Sequence, residues 1–208
     1  MNCDSILFDL DGTLWDSVDE IIYTWNRVIE ENGSFRPPIT RKEQESVMGL
    51  QMDEIARRLF PGYPFEQQMD YMNRCVSMEN DYLRKHGAKL YPGLEDTLGA
   101  LQSRYQLCIV SNCQKGYIEA FLEAHNLGRY FCDHLCYGDT GLSKGENNRE
   151  IIRRNGFASA VYVGDTQGDR QSAVDAGIPF VYAAYGFGNV AEYDAKIQRF
   201  VQLRDLFL

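Results

Sequence analysis

The chain has 208 residues, of which 44% are hydrophobic and 25% are charged, as is typical of a globular protein with one large domain or a domain carrying an insertion. Its formal net charge of −9 argues against a surface that binds nucleic acid or an anionic membrane. No stretch reaches the roughly 18 apolar residues of a membrane-spanning helix, and the N-terminal residues lack the basic segment of a signal peptide. We therefore expect a cytoplasmic protein with no nucleic-acid or membrane partner.

The first apolar run, "ILF" at residues 6–8, predicts a buried strand because it has no polar face. Two aspartates, Asp9 and Asp11, follow it and are separated by a single leucine. On an extended chain their side chains point the same way. Two carboxylates that converge at the exit of a buried strand are costly unless a cation or another partner offsets them.

Residues 16–86 have helical rather than strand-like patterns. The stretch "SVDEIIYTWNRVIEENG" places six apolar residues on one helical stripe, and Ser17 with Glu20 forms the pattern of a capping box at its start. Three more helix-like stretches follow. We predict an inserted α-helical cap domain at 15–87 and a core domain made of residues 1–14 and 88–208.

From residue 93 onward, short apolar runs alternate with helical patterns. Alternation of this kind predicts a mostly parallel sheet with helices on both faces. We therefore expect an α/β fold with a Rossmann-like, doubly wound core. The four strands predicted in this part are "LCIV" (107–110), "HLCY" (134–137), "AVYV" (160–163) and "FVYA" (180–183).

Polar residues follow the predicted strands at their ends. Ser111 follows the second strand, Lys144 comes after a short loop beyond the third, and Asp165 and Asp169 follow the fourth in "GDTQGD". The carboxyl ends of parallel strands line one crevice, so we expect these residues to meet the two aspartates of the first strand there. Several carboxylates at one point favour Mg²⁺. With Mg²⁺ and the lysine, three ionised aspartates give a nearly neutral site that can accept a phosphate dianion.

The same residues favour phosphoryl transfer. Asp9, with an ordinary pKa of about 4, is expected to be ionised at pH 7 without special activation and able to attack phosphorus. Asp11 is suited to protonate the leaving group and then to take a proton from water. Ser111 and Lys144 are suited to hold the equatorial oxygens as charge develops. Further candidate phosphate contacts are Thr13 and Asn112.

"DLDGT", the serine that closes the second strand, the later lysine and "GDTQGD" resemble the four ordered motifs of the haloacid dehalogenase (HAD) superfamily. The helical insertion resembles the cap of its phosphoglycolate phosphatase-like and β-phosphoglucomutase-like branch. The resemblance implies that Asp9 is the nucleophile and Asp11 the acid/base. It also implies that Mg²⁺ is bound by Asp9, the main-chain carbonyl of Asp11, Asp165 and, directly or through water, Asp169. The dehalogenases lack the second aspartate of the first motif, so its presence here favours phosphoryl transfer.

We therefore predict an enzyme, a Mg²⁺-dependent phosphoric monoester hydrolase. It would act on a small phosphorylated metabolite, phosphoglycolate-like or a sugar phosphate, through an aspartyl-phosphate intermediate. The cap is expected to select the substrate, and its candidate contacts are Gln51, Arg57 and Arg58.

Two other functions are considered. A β-phosphoglucomutase-like mutase is the first, but Gln51 and Met52 stand where such mutases carry a basic residue. The second is a non-turnover phosphoacceptor or a binding protein. Asp11 argues against that class, because it supplies the acid/base that turnover needs.

The six cysteines are scattered through a chain too long to need disulfides, so we expect reduced thiols. The run "FCDHLCY" places Cys132, His134 and Cys136 at alternate positions, but it offers no fourth ligand and fits a strand better than a zinc site. Cys113 comes directly after Asn112, so its modification is a candidate means of slowing turnover.

Overall fold

The computed structural model describes residues 3–208, and its centre is a six-stranded parallel sheet. The strands of the sheet lie in the order β5-β4-β1-β6-β7-β8, so the chain winds outward in both directions from β1. The predicted doubly wound α/β fold is confirmed. The strands are β1 (Ser5–Phe8), β2 (Trp15–Asp16), β3 (Lys89–Leu90), β4 (Gln106–Ser111), β5 (Asp133–Cys136), β6 (Ala160–Gly164), β7 (Phe180–Ala183) and β8 (Ala195–Ile197).

Helices cover both faces of the sheet, as the alternating side chains of its central strands require. The helices after β3 are α5 (Leu94–Gln102), α6 (Tyr117–His125), α7 (Tyr137–Thr140), α8 (Lys144–Asn155), α9 (Gln167–Ala176) and α10 (Leu203–Phe207). On β1, Ile6 and Phe8 pack into the hydrophobic cluster that contains residues of α5, α6 and α10. Leu7 points to the opposite face and joins the cluster beneath α8 and α9.

Four helices lie between β2 and β3: α1 (Val18–Glu31), α2 (Arg41–Glu45), α3 (Met52–Leu59) and α4 (Phe65–His86). They have a hydrophobic cluster of their own, in which Trp25, Phe60 and Met72 are buried. The two short strands pair antiparallel where the chain leaves the sheet region and where it returns. We refer to residues 15–87 as the cap. The division into a core of residues 1–14 and 88–208 and this cap stays a prediction about folding units.

The cap lies against the carboxyl edge of the central sheet. Asn112, which directly follows β4, donates a 2.9 Å hydrogen bond to the carbonyl of Gly49 in the cap. Asn80 of α4 donates to the carbonyl of Lys115, also at 2.9 Å. Both contacts involve the loop after β4, so this loop lies at the carboxyl edge of the sheet and also contacts the cap.

The predicted capping box at the start of α1 is wrong. The Ser17 side chain makes no capping hydrogen bond and instead donates to the Asp11 carboxylate at 2.6 Å. The first amide of the helix, that of Val18, donates to Asp16. A hydrogen bond from a hydroxyl to a buried carboxylate is stronger than one between a hydroxyl and a neutral backbone amide. The S-x-x-E pattern at Ser17 therefore does not form a capping box.

The fold contains no helix, within residues 3–208, of the length and apolarity that crossing a bilayer requires. The six cysteines form no disulfide. Residues 133–136 of the run "FCDHLCY" form β5, which agrees with the predicted strand, and Tyr137 begins α7. In the described part of the chain, the only group of His, Cys, Asp and Glu side chains arranged to hold a metal consists of three aspartates.

Gly138 provides a test of the close packing beneath the site. Its amide donates to the carbonyl of Cys113, and a Cβ at this position would overlap the backbone nitrogen of Lys115 and lie 2.6 Å from the carbonyl carbon of Gln114. We expect Gly138→Ala to lower the free energy of unfolding by about 1–3 kcal/mol, since backbone atoms cannot move aside cheaply. Urea denaturation measures this change.

Gly128→Ala is the matched control, because a Cβ there meets nothing within 4 Å. It should change the stability by no more than about 0.5 kcal/mol. Equal stability of the two variants would contradict the packing described for the loop after β4.

Candidate active site

Three buried aspartates meet at the carboxyl edge of the sheet. Asp9 follows β1, Asp165 follows β6, and Asp169 lies in the first turn of α9. Each offers one carboxylate oxygen, and these oxygens all lie within 4.8 Å of one another. The parallel strands thus bring together residues that are up to 160 positions apart in the sequence, as the motif order predicts.

Lys144 holds two of these carboxylates. Its Nζ lies 2.8 Å from Asp9 Oδ1 and 2.6 Å from Asp169 Oδ1, and all three side chains are buried. Lys144 is the first residue of α8, and the capping box of Ser143 and Glu146 fixes the start of that helix. Ordinary helix-capping chemistry therefore positions the cation of the site.

Asp169 has two functions in the structure. Its Oδ2 accepts hydrogen bonds from the amide (2.9 Å) and the hydroxyl (2.7 Å) of Thr166, which completes the capping box of α9. Its Oδ1 faces Lys144. Asp169 therefore caps α9 with one carboxylate oxygen and contacts Lys144 with the other.

Burial changes the protonation of the cluster. The pKa of Asp9 is raised to about 7: loss of solvation is the largest cause, the charge of Asp169 adds to the rise, and Lys144 acts in the opposite direction. Burial, together with the charges of Asp169 and Asp9, also raises the pKa of Asp165. Burial lowers the pKa of Lys144, but Asp169 and Asp9 more than offset it, so the lysine stays charged. The expectation that Asp9 ionises unaided is therefore wrong: with one lysine for three carboxylates, full ionisation requires another cation.

The residues fit a divalent cation. Asp165 Oδ1 is buried and has no hydrogen-bond partner among residues 3–208, while its Oδ2 accepts from the Phe187 amide at 2.6 Å. Gly12 and Gly186 pack so tightly on this carboxylate that a Cβ on either would overlap it. Three carboxylates against one ammonium leave the cluster net negative, and all the donor atoms are oxygens, as Mg²⁺ prefers.

Asp11 is held differently from Asp9. Its Oδ1 lies 2.8 Å from Trp15 Nε1, 2.6 Å from Ser17 Oγ and 2.8 Å from the Tyr117 hydroxyl. Burial raises its pKa, and these three contacts act against that rise. No hydrogen bond within residues 3–208 uses Oδ2, so one oxygen orients the carboxyl group and the other is free to react.

Sequence reasoning missed Trp15 and Tyr117. The Asp11–Trp15 contact is local and accompanies a tight turn in which the amides of Leu14 and Trp15 both donate to the carbonyl of Leu10. The Tyr117 contact joins the first motif to α6, 106 residues away. No sequence spacing reveals such a contact.

The predicted phosphate-binding residues divide into two groups. Ser111 is buried at the end of β4, and its Oγ accepts from the Cys113 amide at 3.3 Å. Ser111 and Asn112 line the same cavity as Asp9 and Asp11. Thr13 and Lys144, which are also predicted to bind phosphate, do not line it. The Thr13 hydroxyl is buried without a partner within residues 3–208, and the Lys144 ammonium contacts Asp9 and Asp169.

The cavity between the core and the cap has a volume of about 30 Å³. Ligand sites commonly measure about 300–1,000 Å³, so this cavity is smaller than a substrate of ordinary size requires. Gln51, Arg57 and Arg58 do not line the cavity. The two arginines are exposed on α3 and form ion pairs, each at 2.6 Å, with the carboxylates of Asp53 and Glu54 one turn earlier.

The described geometry can be compared with known proteins. The sequence pattern of the haloacid dehalogenase-like hydrolases matches residues 6–183. The chain belongs to this family.

Its similarity to individual proteins spans nearly the whole chain. A phosphoglycolate phosphatase from Synechococcus elongatus is 31% identical over 189 residues, which cover 89% of this chain and 85% of that protein. Another from Pseudomonas putida is 26% identical over 201 residues, covering 92% and 73%. The structure of a haloacid dehalogenase-like hydrolase from Streptococcus pneumoniae superposes with a TM-score of 0.86 at 22% identity, covering 99% of this chain and 98% of the other.

These similarities confirm the predicted superfamily, its phosphoglycolate phosphatase-like branch and the fold. The HAD-like protein is therefore an enzyme, a hydrolase, as the sequence motifs predict. The functional roles assigned to individual residues stay predictions.

Removing the cation of the cluster tests its electrostatics. In Lys144→Met, Asp9 and Asp169 lose their only ammonium partner, so we expect a loss of about 3–5 kcal/mol in the free energy of unfolding at pH 8. The loss should be smaller at pH 5. Without Lys144, which lowers the pKa of Asp9, the raised folded-state pKa of Asp9 rises further. Asp9 then keeps its proton at pH 5 but must lose it at pH 8, so the stability of the variant falls as pH increases.

Urea denaturation with a chelator present, at pH 5 and pH 8, measures both values. Lys115→Met is the control, because the Lys115 side chain is 78% exposed and lies 3.9 Å from its nearest carboxylate. Equal losses at the two pH values would contradict the assignment of a charge-balancing role to Lys144.

Proposed function

We propose that this HAD-like hydrolase is a Mg²⁺-dependent phosphatase that hydrolyses a small-metabolite phosphomonoester. One observation carries the proposal. Asp9 and Asp11 line one small cavity. Lys144 contacts Asp9, and the carboxylates of Asp165 and Asp169 lie close to that of Asp9. A nucleophile and an acid/base side by side are what turnover of a phosphoryl group requires.

The metal would be held by the carboxylates of Asp9, Asp165 and Asp169 and, by resemblance to the family, by the main-chain carbonyl of Asp11. The partnerless Oδ1 of Asp165 supports this assignment. When bound, Mg²⁺ supplies positive charge that neutralises both the cluster and the phosphoryl oxygens.

Asp9 is the proposed nucleophile. One of its carboxylate oxygens would form a bond to phosphorus as the bond from phosphorus to the alcohol oxygen breaks, giving an aspartyl phosphate and the alcohol. In the second step a water oxygen would attack phosphorus, the acyl-phosphate P–O bond would break, and Asp9 would be regenerated with release of inorganic phosphate. Lys144, 2.8 Å from Asp9 Oδ1, keeps the carboxylate oriented and offsets its charge in both steps.

Asp11 is the proposed acid/base. Three donors fix its Oδ1, so Oδ2 is the oxygen that would give a proton to the leaving alcohol and later take one from the attacking water. Burial raises its pKa, which favours the protonated form needed for the first transfer. Ser111, and by prediction Asn112 and Thr13, would contact the phosphoryl oxygens.

The cap would open to admit the ester and close to exclude water. The relatives named phosphoglycolate phosphatase support a small phosphorylated substrate. The arginines predicted to contact that substrate lie elsewhere in the closed structure, so substrate selection is assigned to the residues that line the cavity.

Substitution of the two aspartates tests the proposal. Phosphate release from small phosphomonoesters should require Mg²⁺ in the wild type and fall more than about a thousandfold in Asp9→Asn, because an amide oxygen is a poor nucleophile. Asp11→Asn should reduce the rate by about 10²–10⁴-fold. Asp81→Asn is the control, since that side chain is 73% exposed on the cap.

Release that persists in Asp9→Asn or without Mg²⁺ would refute the mechanism. Isomerisation of a sugar phosphate without release of phosphate would instead support the mutase.

A further inference from the structure

A buried carboxyl group of the cap faces the cavity. Glu79 of α4 is 2% exposed, and it is the only acidic or basic side chain that the described part of the cap contributes to the cavity lining. The surrounding cap residues are mostly apolar. They include Ile21, Leu50 and Ile55.

Two donors orient this carboxyl group. Trp25 Nε1 donates to its Oε2 at 2.5 Å, and Gln114 Nε2 donates to its Oε1 at 3.2 Å. Each carboxylate oxygen can accept two hydrogen bonds, so each retains a free acceptor position. The group is therefore held in place by its neighbours without being saturated by them.

No cationic side chain of the described residues forms an ion pair with Glu79. Within residues 3–208 the cavity lining contains three carboxyl groups, Asp9, Asp11 and Glu79, and no lysine, arginine or histidine. Burial raises the pKa of Glu79 to about 8, which shows how poorly its charge is compensated in the closed cavity. A buried acid with no cationic partner is costly, and a ligand that satisfies it would offset that cost.

We propose that Glu79 determines specificity by accepting a hydrogen bond from the end of the substrate remote from the phosphate. That end carries a hydroxyl or ammonium group rather than a carboxylate. This inference rests on the proposed phosphatase function and narrows its substrate class. A hydroxyl or ammonium donates into the free acceptor positions of the carboxylate. A substrate carboxylate would find no lysine, arginine or histidine in the described cavity lining to pair with it.

The inference separates this chain from the activity in its relatives' names, because phosphoglycolate ends in a carboxylate. If Glu79 only held Trp25 and Gln114 in place, its substitution would lower kcat/KM for all esters by the same factor. A specificity residue changes the ratio between them. That ratio is therefore the quantity to measure.

Four two-carbon phosphomonoesters that differ only in the remote group provide the test: 2-hydroxyethyl phosphate, phosphoethanolamine, ethyl phosphate and phosphoglycolate. With Mg²⁺, we expect the wild type to hydrolyse the better of the first two with a kcat/KM about tenfold or more above those of ethyl phosphate and phosphoglycolate. The order of the first two distinguishes a hydroxyl substrate from an ammonium substrate.

Glu79→Gln keeps the shape of the side chain but adds a donor. It should reduce the preference for the best donor ester over phosphoglycolate by about tenfold. Glu66→Gln, on the exposed surface of the same helix, should leave the ranking unchanged. The wild-type ranking is informative by itself if Glu79→Gln does not fold.

The inference is overturned if phosphoglycolate is the best ester for the wild type, or if Glu79→Gln lowers all four values by the same factor. It is also overturned if p-nitrophenyl phosphate is hydrolysed but neither donor ester is. Absence of phosphate release from every ester, p-nitrophenyl phosphate included, would refute the proposed phosphatase function and the inference with it.

Discussion

The buried contact of Lys144 with Asp9 and Asp169 is the interaction on which the site depends. It joins the end of the central strand to the starts of two helices, α8 and α9, so the sheet and its flanking layer share one charged centre. One ammonium cannot balance three buried carboxylates. When its carboxyl groups are ionised, the cluster therefore carries an excess of negative charge. The Asp165 oxygen that has no partner within residues 3–208 is where we propose that a further cation binds.

The cap and the core close on each other through the loop after β4. Asn112 and Gln114 of that loop both contact the cap, through Gly49 and Glu79, while Ser111 at the strand end lines the cavity. The segment that would contact the phosphoryl group is thus the same segment that donates hydrogen bonds to the cap. This continuity connects closure with the exclusion of water from the reacting atoms.

The core of the fold and its acidic motifs could be predicted because their signals are local. Apolar runs mark β1, β4, β6 and β7, and chain order places the residues that follow them at one edge. Strand β8 was missed, since "AKI" has no apolar run to distinguish it. The prediction for Ser17 is wrong, because the sequence does not show that its hydroxyl lies next to the Asp11 carboxylate. The hydroxyl donates to that carboxylate and does not cap the helix. Glu79 did leave a signal: it lies on the stripe of buried α4 positions with Met72, Cys75 and Leu83, where an acid is unexpected.

The central claim is that the aspartate cluster binds one divalent cation, and calorimetric titration with Mg²⁺ tests it most directly. The account predicts one Mg²⁺ per chain for the wild type and no detectable binding for Asp165→Asn. This substitution removes the charge of the carboxylate whose Oδ1 has no hydrogen-bond partner within residues 3–208. Proton release should accompany binding near pH 7, because the raised pKa of Asp9 leaves part of the cluster protonated before the metal arrives. Equal Mg²⁺ binding by the two proteins, or none by either, would contradict the account.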